Sequence, residues 1–398
     1  MIFRTIIYFD DNQKETEKIT KKDNETTYAY SGKWIIENLD YETLLNNFIY
    51  IFNFFDPFFI INLVNKKAEL GVFERTMNFK TLRSYNPGHS FSIKANLAQL
   101  QLTAYYDYLS KKKIRLEDIV EWFFREYLKR EFGVENYIIS MPSENSNYFE
   151  KCKSILPEFD LILKEFKYYC EDGEINQKLI NISSTQMFFK DIPSLVPNKY
   201  VYVNENDDIL RINYYFFSDQ CMLLYDQKNN KSYRCFYSLL SETMIRYDDY
   251  HIREQQMLDW LIEKDFIYLD NGYVKVKDRT KINIFADLYY NEVINYWHYS
   301  KNLRSIVDTL IENGILYAEN TLFSKPEQDY FNYYLNMSEF VDGYDIRNSN
   351  LHGTQEGDRN SEIHKQKYMK IILLLVLIII KINDDFWLHD DYIKNREI

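Results

Sequence analysis

The stretch Gly343-Tyr344-Asp345-Ile346-Arg347-Asn348-Ser349-Asn350-Leu351-His352-Gly353-Thr354 joins two long helical patterns. Three of the ten glycines of this 398-residue chain, Gly343, Gly353 and Gly357, lie within fifteen residues of each other here. Glycine adopts backbone conformations that other residues resist, so this clustering marks a specialised connection. The same connection carries a guanidinium, an imidazole and several amide and hydroxyl groups. We therefore look for chemistry in this segment.

The sequence after this segment predicts a fully buried helix. Ten consecutive aliphatic residues run from Ile371 to Ile380, between Lys370 and Lys381. As a helix they cover about 15 Å, roughly half the hydrocarbon core of a bilayer, which favours a buried helix over a membrane span. Three more apolar helical patterns precede it, and their short connections favour an up-down four-helix bundle. The four predicted helices cover residues 285–298, 303–311, 326–341 and 361–382.

The whole chain is predicted to be α+β and mainly α, with three regions. Residues 1–180 predict a mixed α/β region of unknown role, residues 181–282 a β-rich region, and residues 283–398 the helical bundle. Apolar periodicity places helices in the first region, and runs of β-branched and aromatic residues place strands in the second. The helices are expected over 92–109, over 116–130 and as a pair within 137–180, and the strands over 200–203, 210–217 and 233–237.

The β-rich region ends in a helix followed by a hairpin. Asp270-Asn271-Gly272 lies between two alternating runs, which is a strong hairpin signal. A helix directly before a hairpin is similar to the end of a winged-helix domain. This helix carries Glu254, Asp259 and Glu263, and its acidity favours a structural or protein-contact role over DNA binding.

Charge excludes one class of partner. A net charge of −12 argues against a protein that holds nucleic acid by a general basic surface, so a nucleic-acid substrate would need a local basic site. With 36 Tyr and 28 Phe, no single aromatic stripe indicates a binding surface.

No metal or cofactor is predicted. The paired carboxylates Asp207-Asp208 and Asp248-Asp249 lack a third ligand nearby and are better explained as turns or helix caps. The cysteines have no metal-ligand spacing, and the N-terminus shows no signal peptide, so we expect free thiols and a cytoplasmic protein without a membrane anchor. The four are Cys152, Cys170, Cys221 and Cys235.

The spacing of Arg347 and His352 does not by itself identify a site. Similar spacings recur elsewhere in the chain, so the surrounding residues must decide. Asp-Ile precedes Arg347, Asn348 follows it, Gly353 follows His352, and the most apolar helix lies downstream. The other pairs are Arg246/His251, Arg359/His364 and, one residue longer, Arg83/His89.

Between the last two helices of a predicted bundle, Asp345-Ile346-Arg347-Asn348-x3-His352-Gly353 resembles the signature of the HEPN superfamily. The resemblance covers about residues 283–398. Many proteins of this family are metal-independent RNA endonucleases of abortive-infection, toxin–antitoxin or CRISPR-associated defence, and others are inactive binding modules. The resemblance implies that Arg347 clamps phosphate, that His352 is the acid/base, and that Asn348 and Asp345 support them.

These residue types also suit RNA cleavage on chemical grounds. RNA supplies its own 2′-OH nucleophile, His titrates near neutral pH, and Arg stabilises charge on phosphoryl oxygens. The products would be a 2′,3′-cyclic phosphate and a 5′-OH. By the family pattern, two bundles pair into one cleft, so a homodimer is expected. The substrate could be tRNA, and an antitoxin or sensor protein is a further expected partner.

Other interpretations stay open. Arg347 could cap the preceding helix or pair with Asp345, and His352 could be a polar turn residue. The second motif, Arg359 to His364, could be the working pair or, with Lys365 and Lys367, an auxiliary phosphate site. The alternative function is an inactive HEPN-like interaction or ligand-binding module, and the third is a DNA-binding regulator that uses the winged helix.

Overall fold

The structure, a computed structural model, describes residues 4–77, 83–182, 187–224, 233–336, 339–347 and 361–394. Within these ranges the protein is mainly helical with small sheets, which confirms the α+β, mainly α prediction. The chain forms two compact units. Unit 1 comprises residues 1–65, 69–199 and 320–398, and unit 2 comprises residues 66–68 and 200–319.

Unit 1 combines a three-stranded sheet with helices from both ends of the chain. The strands are ordered β1-β3-β2, with β3 parallel to β1 and antiparallel to β2. A π-helical turn at Phe123–Tyr127 connects α5 and α6. The elements are β1 (Arg4–Asp10), β2 (Glu17–Lys22), β3 (Glu25–Ser31), α1 (Gly32–Glu37), α2 (Tyr41–Tyr50), α3 (Val72–Met77), α4 (His89–Lys111), α5 (Leu116–Trp122), α6 (Leu128–Phe132), α7 (Tyr148–Asp172), α8 (Gln177–Ile182), α14 (Lys325–Leu335) and α15 (Ser361–Lys394).

Helix α15 lies in the core of unit 1. Every residue from Ile371 to Ile380 is at most 2% exposed, which confirms the predicted buried helix. Because its side chains are apolar on nearly all sides, the helix must be surrounded by other elements. No described helix is long and apolar enough to cross a bilayer.

Helices α7 and α14 pack on α15 in opposite directions. Near the start of both helices, Cys152 of α7 contacts His364 of α15, and further along both of them Phe166 contacts Phe386. The two helices are therefore parallel, and their N-terminal ends lie side by side. Along α14 the order is reversed, because Tyr334 faces Lys370 whereas Glu327 faces Lys381.

Two buried ion pairs connect α15 to the rest of unit 1. The Lys381 ammonium lies 3.0 Å from Glu327, and the Lys199 ammonium lies 2.7 Å from Asp385. All four side chains are 0% exposed. Buried charges require such partners, so these pairs restrict how α15 can pack.

Unit 2 is built around a second three-stranded sheet, ordered β7-β4-β8, in which both pairings are antiparallel. The hairpin β5–β6 turns at Asn271-Gly272 directly after α11, as the sequence predicts. Residues 66–68 join this unit, since Lys66 donates to the Asn291 side chain. The elements are β4 (Tyr200–Val203), α9 (Asp207–Phe217), α10 (Phe236–Glu242), α11 (Ile252–Glu263), β5 (Ile267–Asp270), β6 (Tyr273–Val276), α12 (Arg279–Asn291), β7 (Ile294–Asn295), α13 (Lys301–Glu312) and β8 (Leu316–Glu319).

Two predicted strands are wrong. Residues 210–217 belong to helix α9, and residues 233–237 lead into α10. The Asn206 side chain caps α9 by accepting a hydrogen bond from the backbone N–H of Ile209. Ile209, Ile212 and Phe216 are buried at helical spacing. The cap and this periodicity outweigh the high β propensity of the aromatic residues.

The two units divide the chain differently from the three predicted regions. Of the four helices predicted to form one bundle, α12 and α13 belong to unit 2, whereas α14 and α15 belong to unit 1. Helix α15 packs instead on α7 and α4, which come from the first half of the chain. The reason is physical, because a helix that is apolar on all sides needs more covering surface than its sequence neighbours offer.

Candidate functional site

The segment before the Arg347 motif is folded back onto the end of α14. The backbone N–H of Tyr344 donates to the Tyr333 carbonyl at 2.9 Å, and the Tyr344 ring stacks on Tyr334. A Cβ atom on Gly343 would lie 2.7 Å from the same Tyr333 carbonyl oxygen. Glycine is therefore required here by close backbone approach. Helix α14 itself ends earlier than predicted, at Leu335 rather than residue 341.

Asp342 fastens this segment to the loop before α4. Its carboxylate accepts hydrogen bonds from the backbone N–H groups of Tyr85 and Asn86 and from the Ser84 hydroxyl. Burial on its own would raise the pKa of Asp342, but these donors lower it below its ordinary value. The segment thus reaches Arg347 from two fixed points, Gly343 and Asp342.

Arg347 is held by helix α7. Its Nη2 lies 2.7 Å from Asp160 Oδ1, and its side chain is 12% exposed. The acidic partner of Arg347 is therefore Asp160, which lies 187 residues earlier in the chain. The sequence alone had suggested Asp345 as this partner. The Arg347 Nε is buried and has no hydrogen-bond partner in the described structure. One edge of the guanidinium is thus occupied and another retains a free donor.

Burial raises the pKa of Asp160, and the Arg347 guanidinium opposes that shift. Asp345 has a left-handed backbone, with φ of 47°, two residues before the arginine. A short polar side chain tolerates this conformation better than most residues, and it turns the chain sharply at this point. Asp345 therefore has a structural role in placing Arg347.

Three of the predicted site residues, Asn348, His352 and Arg359, lie outside the described residues. The histidine half of the candidate site therefore stays a prediction. Its arginine half is located, on the surface of α7 beside Asp160.

His364, the histidine of the second motif, lies in the first turn of α15 and is only 7% exposed. Its ring packs edge-on against Phe149 of α7, with ring centroids 5.1 Å apart. Its Nδ1 is buried and makes no hydrogen bond to any described residue. A buried ring nitrogen in this state is uncommon, because burying a polar atom without a partner is unfavourable.

The two lysines predicted to help hold phosphate have different surroundings. The Lys365 ammonium is bound by both carboxylate oxygens of Asp107, at 2.9 and 3.0 Å. Burial lowers the pKa of Lys365, but Asp107 outweighs this and raises it overall. Lys367 is partly exposed. Burial raises the pKa of the Cys152 thiol to about 12, and the positive charge of Lys367 partly opposes this increase. Lys365 is thus already neutralised, whereas Lys367 is less constrained.

Sequence reasoning missed two cations next to these motifs. The Lys370 ammonium lies 4.6 Å from the centroid of the Tyr334 ring, and burial lowers its pKa to about 8. Lys151 of α7 is 6% exposed and lies over the rings of Tyr148 and Tyr368. In the sequence Lys370 appears only as a flank of the aliphatic run, and Lys151 is one of several lysines on a helix.

Among the described residues, no group of three His, Cys, Asp or Glu side chains is arranged to hold a metal ion. Asp207 and Asp208 lie in the first turn of α9, and Asp208 pairs with Lys264. Asp248 and Asp249 lie in a 3-10 turn. Both carboxylate pairs thus occupy the helix-end and turn positions that their sequence context predicts.

Comparison with known proteins gives no relative from which to read the function of this site. Neither the protein-family models nor the curated proteins nor the solved structures include a match to this chain.

Proposed function

We propose that the protein is a metal-independent RNA endonuclease whose phosphate clamp is Arg347 and whose acid/base is His352. The observation that supports this proposal is the state of the guanidinium. Asp160 fixes one edge of it through Nη2, and the side chain is 12% exposed, so part of it remains accessible to a substrate. An arginine held in this way is preorganised to bind a phosphoryl oxygen without further loss of side-chain entropy.

In the proposed reaction the 2′-OH attacks the adjacent phosphorus. His352 takes the 2′-OH proton, the new 2′-O–P bond forms, and the P–O5′ bond breaks. His352 then gives this proton to the leaving 5′ oxygen, which yields a 2′,3′-cyclic phosphate and a 5′-OH. Arg347 would stabilise the charge that develops on the non-bridging oxygens, with Asn348 as a polar support.

The HEPN-like bundle is proposed to consist of α4, α7, α14 and α15, and not of residues 283–398 alone. Helices α7, α4 and α14 all contact α15, and unit 2 would then be an insertion between α8 and α14. The helix and hairpin α11–β5–β6 would act as a winged-helix-like protein-contact module. We further propose a homodimer in a cytoplasmic defence or toxin system, in which the two active sites face one cleft.

A second function is favoured by the same ion pair. Asp160 neutralises Arg347. An ion pair of this kind between a loop and a helix is sufficient to fasten the loop and needs no catalytic role. In that case the protein is an inactive HEPN-like interaction module that holds a partner protein or a nucleotide.

Cleavage of total RNA and purified tRNA in the presence of EDTA separates these functions. We expect the wild type to cut and to leave cyclic-phosphate ends, and Arg347→Ala and His352→Ala to be inactive but folded, with a lower melting temperature for Arg347→Ala because Asp160 loses its partner. Arg347→Lys keeps the charge but loses the planar fork, so it should retain little activity.

Two results would contradict the proposal. If Arg347→Ala and His352→Ala cut as well as the wild type and His364→Ala does not, the second motif is the active one. If folded wild-type protein cuts neither RNA and is equally harmless to cells with and without His352, the interaction module is the better description.

A further inference from the structure

Unit 2 contains the same structural repeat twice, at an interval of 49 residues. Residues 236–270 recur as residues 285–319, and each copy runs through a helix, a 3-10 turn, a second helix and a strand. The bounds agree residue for residue, since the second helix covers 252–263 in one copy and 301–312 in the other. Identical residues at this interval include Phe236/Phe285, Leu239/Leu288, Tyr247/Tyr296, Tyr250/Tyr299, Asp259/Asp308 and Tyr268/Tyr317.

The internal contacts of the two copies also correspond. The Tyr247 hydroxyl donates to Asp259 at 2.8 Å, and the Tyr296 hydroxyl donates to Asp308 at 2.9 Å. Strand β6 pairs with β5 in the first copy. Strand β4, which precedes both copies in the chain, pairs with β8 in the second copy in the same antiparallel register. The repeat is therefore present in the fold as well as in the sequence.

The two copies differ in charge where the second helix begins. Residues 297–305, which lead into α13, contain Lys301 and Arg304 and no carboxylate. The equivalent residues 248–256, which lead into α11, contain one arginine and three carboxylates: Arg253, Asp248, Asp249 and Glu254. Because both copies have the same backbone, the fold does not require cations at the start of α13. The difference points to a ligand of α13 that α11 does not bind.

The two cations of α13 are not used by the protein itself. Lys301 is exposed, and the Arg304 guanidinium lies over the rings of Trp297 and Tyr296, 5.1 and 5.7 Å from their centroids. Asp308, one turn further along α13, accepts the Tyr296 hydroxyl with both carboxylate oxygens. Among the residues that the structure describes, neither Lys301 nor Arg304 forms an ion pair.

This combination of groups suits the backbone of a nucleic acid. Lys and Arg side chains that neutralise phosphates release counterions, which supplies much of the affinity of such binding. An arginine that lies against aromatic rings presents its planar fork in a restricted orientation. In helix-turn-helix proteins the second helix is the one that lies against DNA, and α13 is the second helix of its copy. A chain with a net charge of −12 needs a local basic site of this kind to hold a nucleic acid.

We propose that the start of α13 binds the phosphodiester backbone of a nucleic acid through Lys301 and Arg304. The phosphates would come either from RNA or from DNA. The RNA source rests on the proposed ribonuclease function, and α13 then holds part of the substrate other than the phosphate that is cut. Helix α11, with its carboxylates, is the copy that does not bind nucleic acid.

The test uses the full-length protein and three labelled probes: a fully 2′-O-methylated RNA strand, which cannot be cleaved by 2′-OH attack, a DNA strand of the same sequence, and the corresponding DNA duplex. Fluorescence anisotropy gives the affinity over a range of salt concentrations for the wild type, Lys301→Ala, Arg304→Ala and Arg253→Ala. Arg253 is the matched control, because it is an exposed arginine at the start of α11 in the acidic copy.

Lys301→Ala should weaken binding of a single strand by about fivefold at about 0.1 M salt. It should also lower the slope of log K against log salt by about 0.7, as expected for the loss of one phosphate contact. Arg304→Ala should weaken binding at least as much, whereas Arg253→Ala should change it by less than about twofold. Because Lys301 is exposed and forms no ion pair with a described residue, Lys301→Ala should keep the wild-type melting temperature.

Each outcome bears on the proposal. Loss of affinity and of salt dependence for the RNA strand identifies RNA as the ligand, whereas loss for the DNA probes alone identifies DNA; both support the site. Wild-type affinity of Lys301→Ala and Arg304→Ala for all three probes would overturn it. An equal loss in Arg253→Ala, or no binding of any probe by the wild type, would do the same.

The site and the nuclease can fail separately. Lys301-dependent binding of the methylated RNA without any cleavage of unmodified RNA would retain the site and refute the nuclease. Cleavage of unmodified RNA, with binding unchanged in Lys301→Ala and Arg304→Ala, would retain the nuclease and refute the site.

Discussion

Replacement of Lys199 by methionine should destabilise unit 1 more than replacement of Asp385 by asparagine. One ammonium serves two carboxylates here, since Lys199 Nζ lies 2.7 Å from Asp385 and 3.7 Å from Asp384. Lys199 and Asp385 are 0% exposed, and the Asp384 side chain is 3% exposed. Without the lysine, two buried carboxylates repel each other, whereas without the Asp385 charge the lysine keeps Asp384.

The magnitudes follow from the contacts. Loss of one partner of a buried ion pair costs about 3–5 kcal/mol, and we expect this range for Lys199→Met. Asp385→Asn loses a charge-assisted bond of about 1.5–3 kcal/mol, but an amide oxygen can still accept from Ser194 or from the Leu195 N–H. In a unit of this size, Lys199→Met should lower the melting temperature by on the order of 10 °C.

Tryptophan fluorescence can report on unit 1 alone. Of the five tryptophans, Trp260 and Trp297 belong to unit 2 and can be changed to phenylalanine, which leaves Trp34, Trp122 and Trp387 as reporters. Thermal unfolding is then followed for Lys199→Met, for Asp385→Asn and for the triple variant that combines these two with Asp384→Asn. Most of the lost stability should return in the triple variant. The control is Lys129→Met, whose partner Glu135 is equally close but exposed, and its melting temperature should not change.

The pH dependence provides a second check. Burial lowers the pKa of Lys199, but Asp385 and Asp384 outweigh this and raise it overall. Its contribution to stability is therefore complete below the unfolded pKa of about 10.4 and is lost only when the pH rises through the still higher folded value. The stability that Lys199 contributes to the wild type should therefore not change between pH 5 and pH 8. In Lys199→Met the unpaired carboxylates take up protons, so its deficit should shrink as the pH falls. A Lys199→Met variant as stable as Asp385→Asn would refute this reasoning.

Three further predictions concern a buried carboxyl group, a closely packed glycine and two buried thiols. Burial raises the pKa of Glu165 from 4.5 to about 7 in the folded protein, so the free energy of unfolding should fall by about 3 kcal/mol as the pH rises from 4.5 to above 7. Glu165→Gln should abolish most of this slope in urea titrations, and an unchanged slope would assign it to other groups. Gly343→Ala should cost about 1–3 kcal/mol, because its Cβ would meet the Tyr333 carbonyl oxygen; Gly71→Ala, where the nearest atom is the end of the Glu74 side chain at 3.4 Å, should be close to neutral. Burial raises the pKa of Cys152 to about 12 and of Cys221 to about 11, so mass spectrometry should show slow alkylation of both at pH 8 until the protein is unfolded, and rapid native labelling would show that these thiols are accessible.

Local patterns of the sequence predicted local structure well. Asp270-Asn271-Gly272 specifies its hairpin through turn chemistry, and the hairpin is found where expected. The aliphatic run from Ile371 to Ile380 predicted a buried helix for a similar reason, because its burial depends only on its own composition. The strand predicted for residues 210–217 was wrong because aromatic residues fit both strands and helices. The helix is determined by its N-terminal cap, Asn206.

Long-range partners could not be read from the sequence. Nothing near Arg347 indicates that its carboxylate is Asp160, since that contact depends on how α7 packs against the rest of unit 1. The flanking residues in the sequence singled out Arg347 as a candidate site residue. Its partner Asp160 could be identified only from the structure.

The division of unit 1 by unit 2 has a consequence for how the chain is made. Helix α15 is synthesised after every element that it packs against, so the ribosome completes unit 2 while the core of unit 1 is still open. Unit 2 is continuous apart from residues 66–68, and its first and last strands, β4 and β8, pair with each other, so it can close early and bring residues 199 and 320 together. Because domains fold as units during synthesis, a nascent chain could not complete the core of unit 1, to which α7 and its Asp160 belong, before α15 has left the ribosome. A toxic nuclease built in this way would stay inactive until α15 has been made.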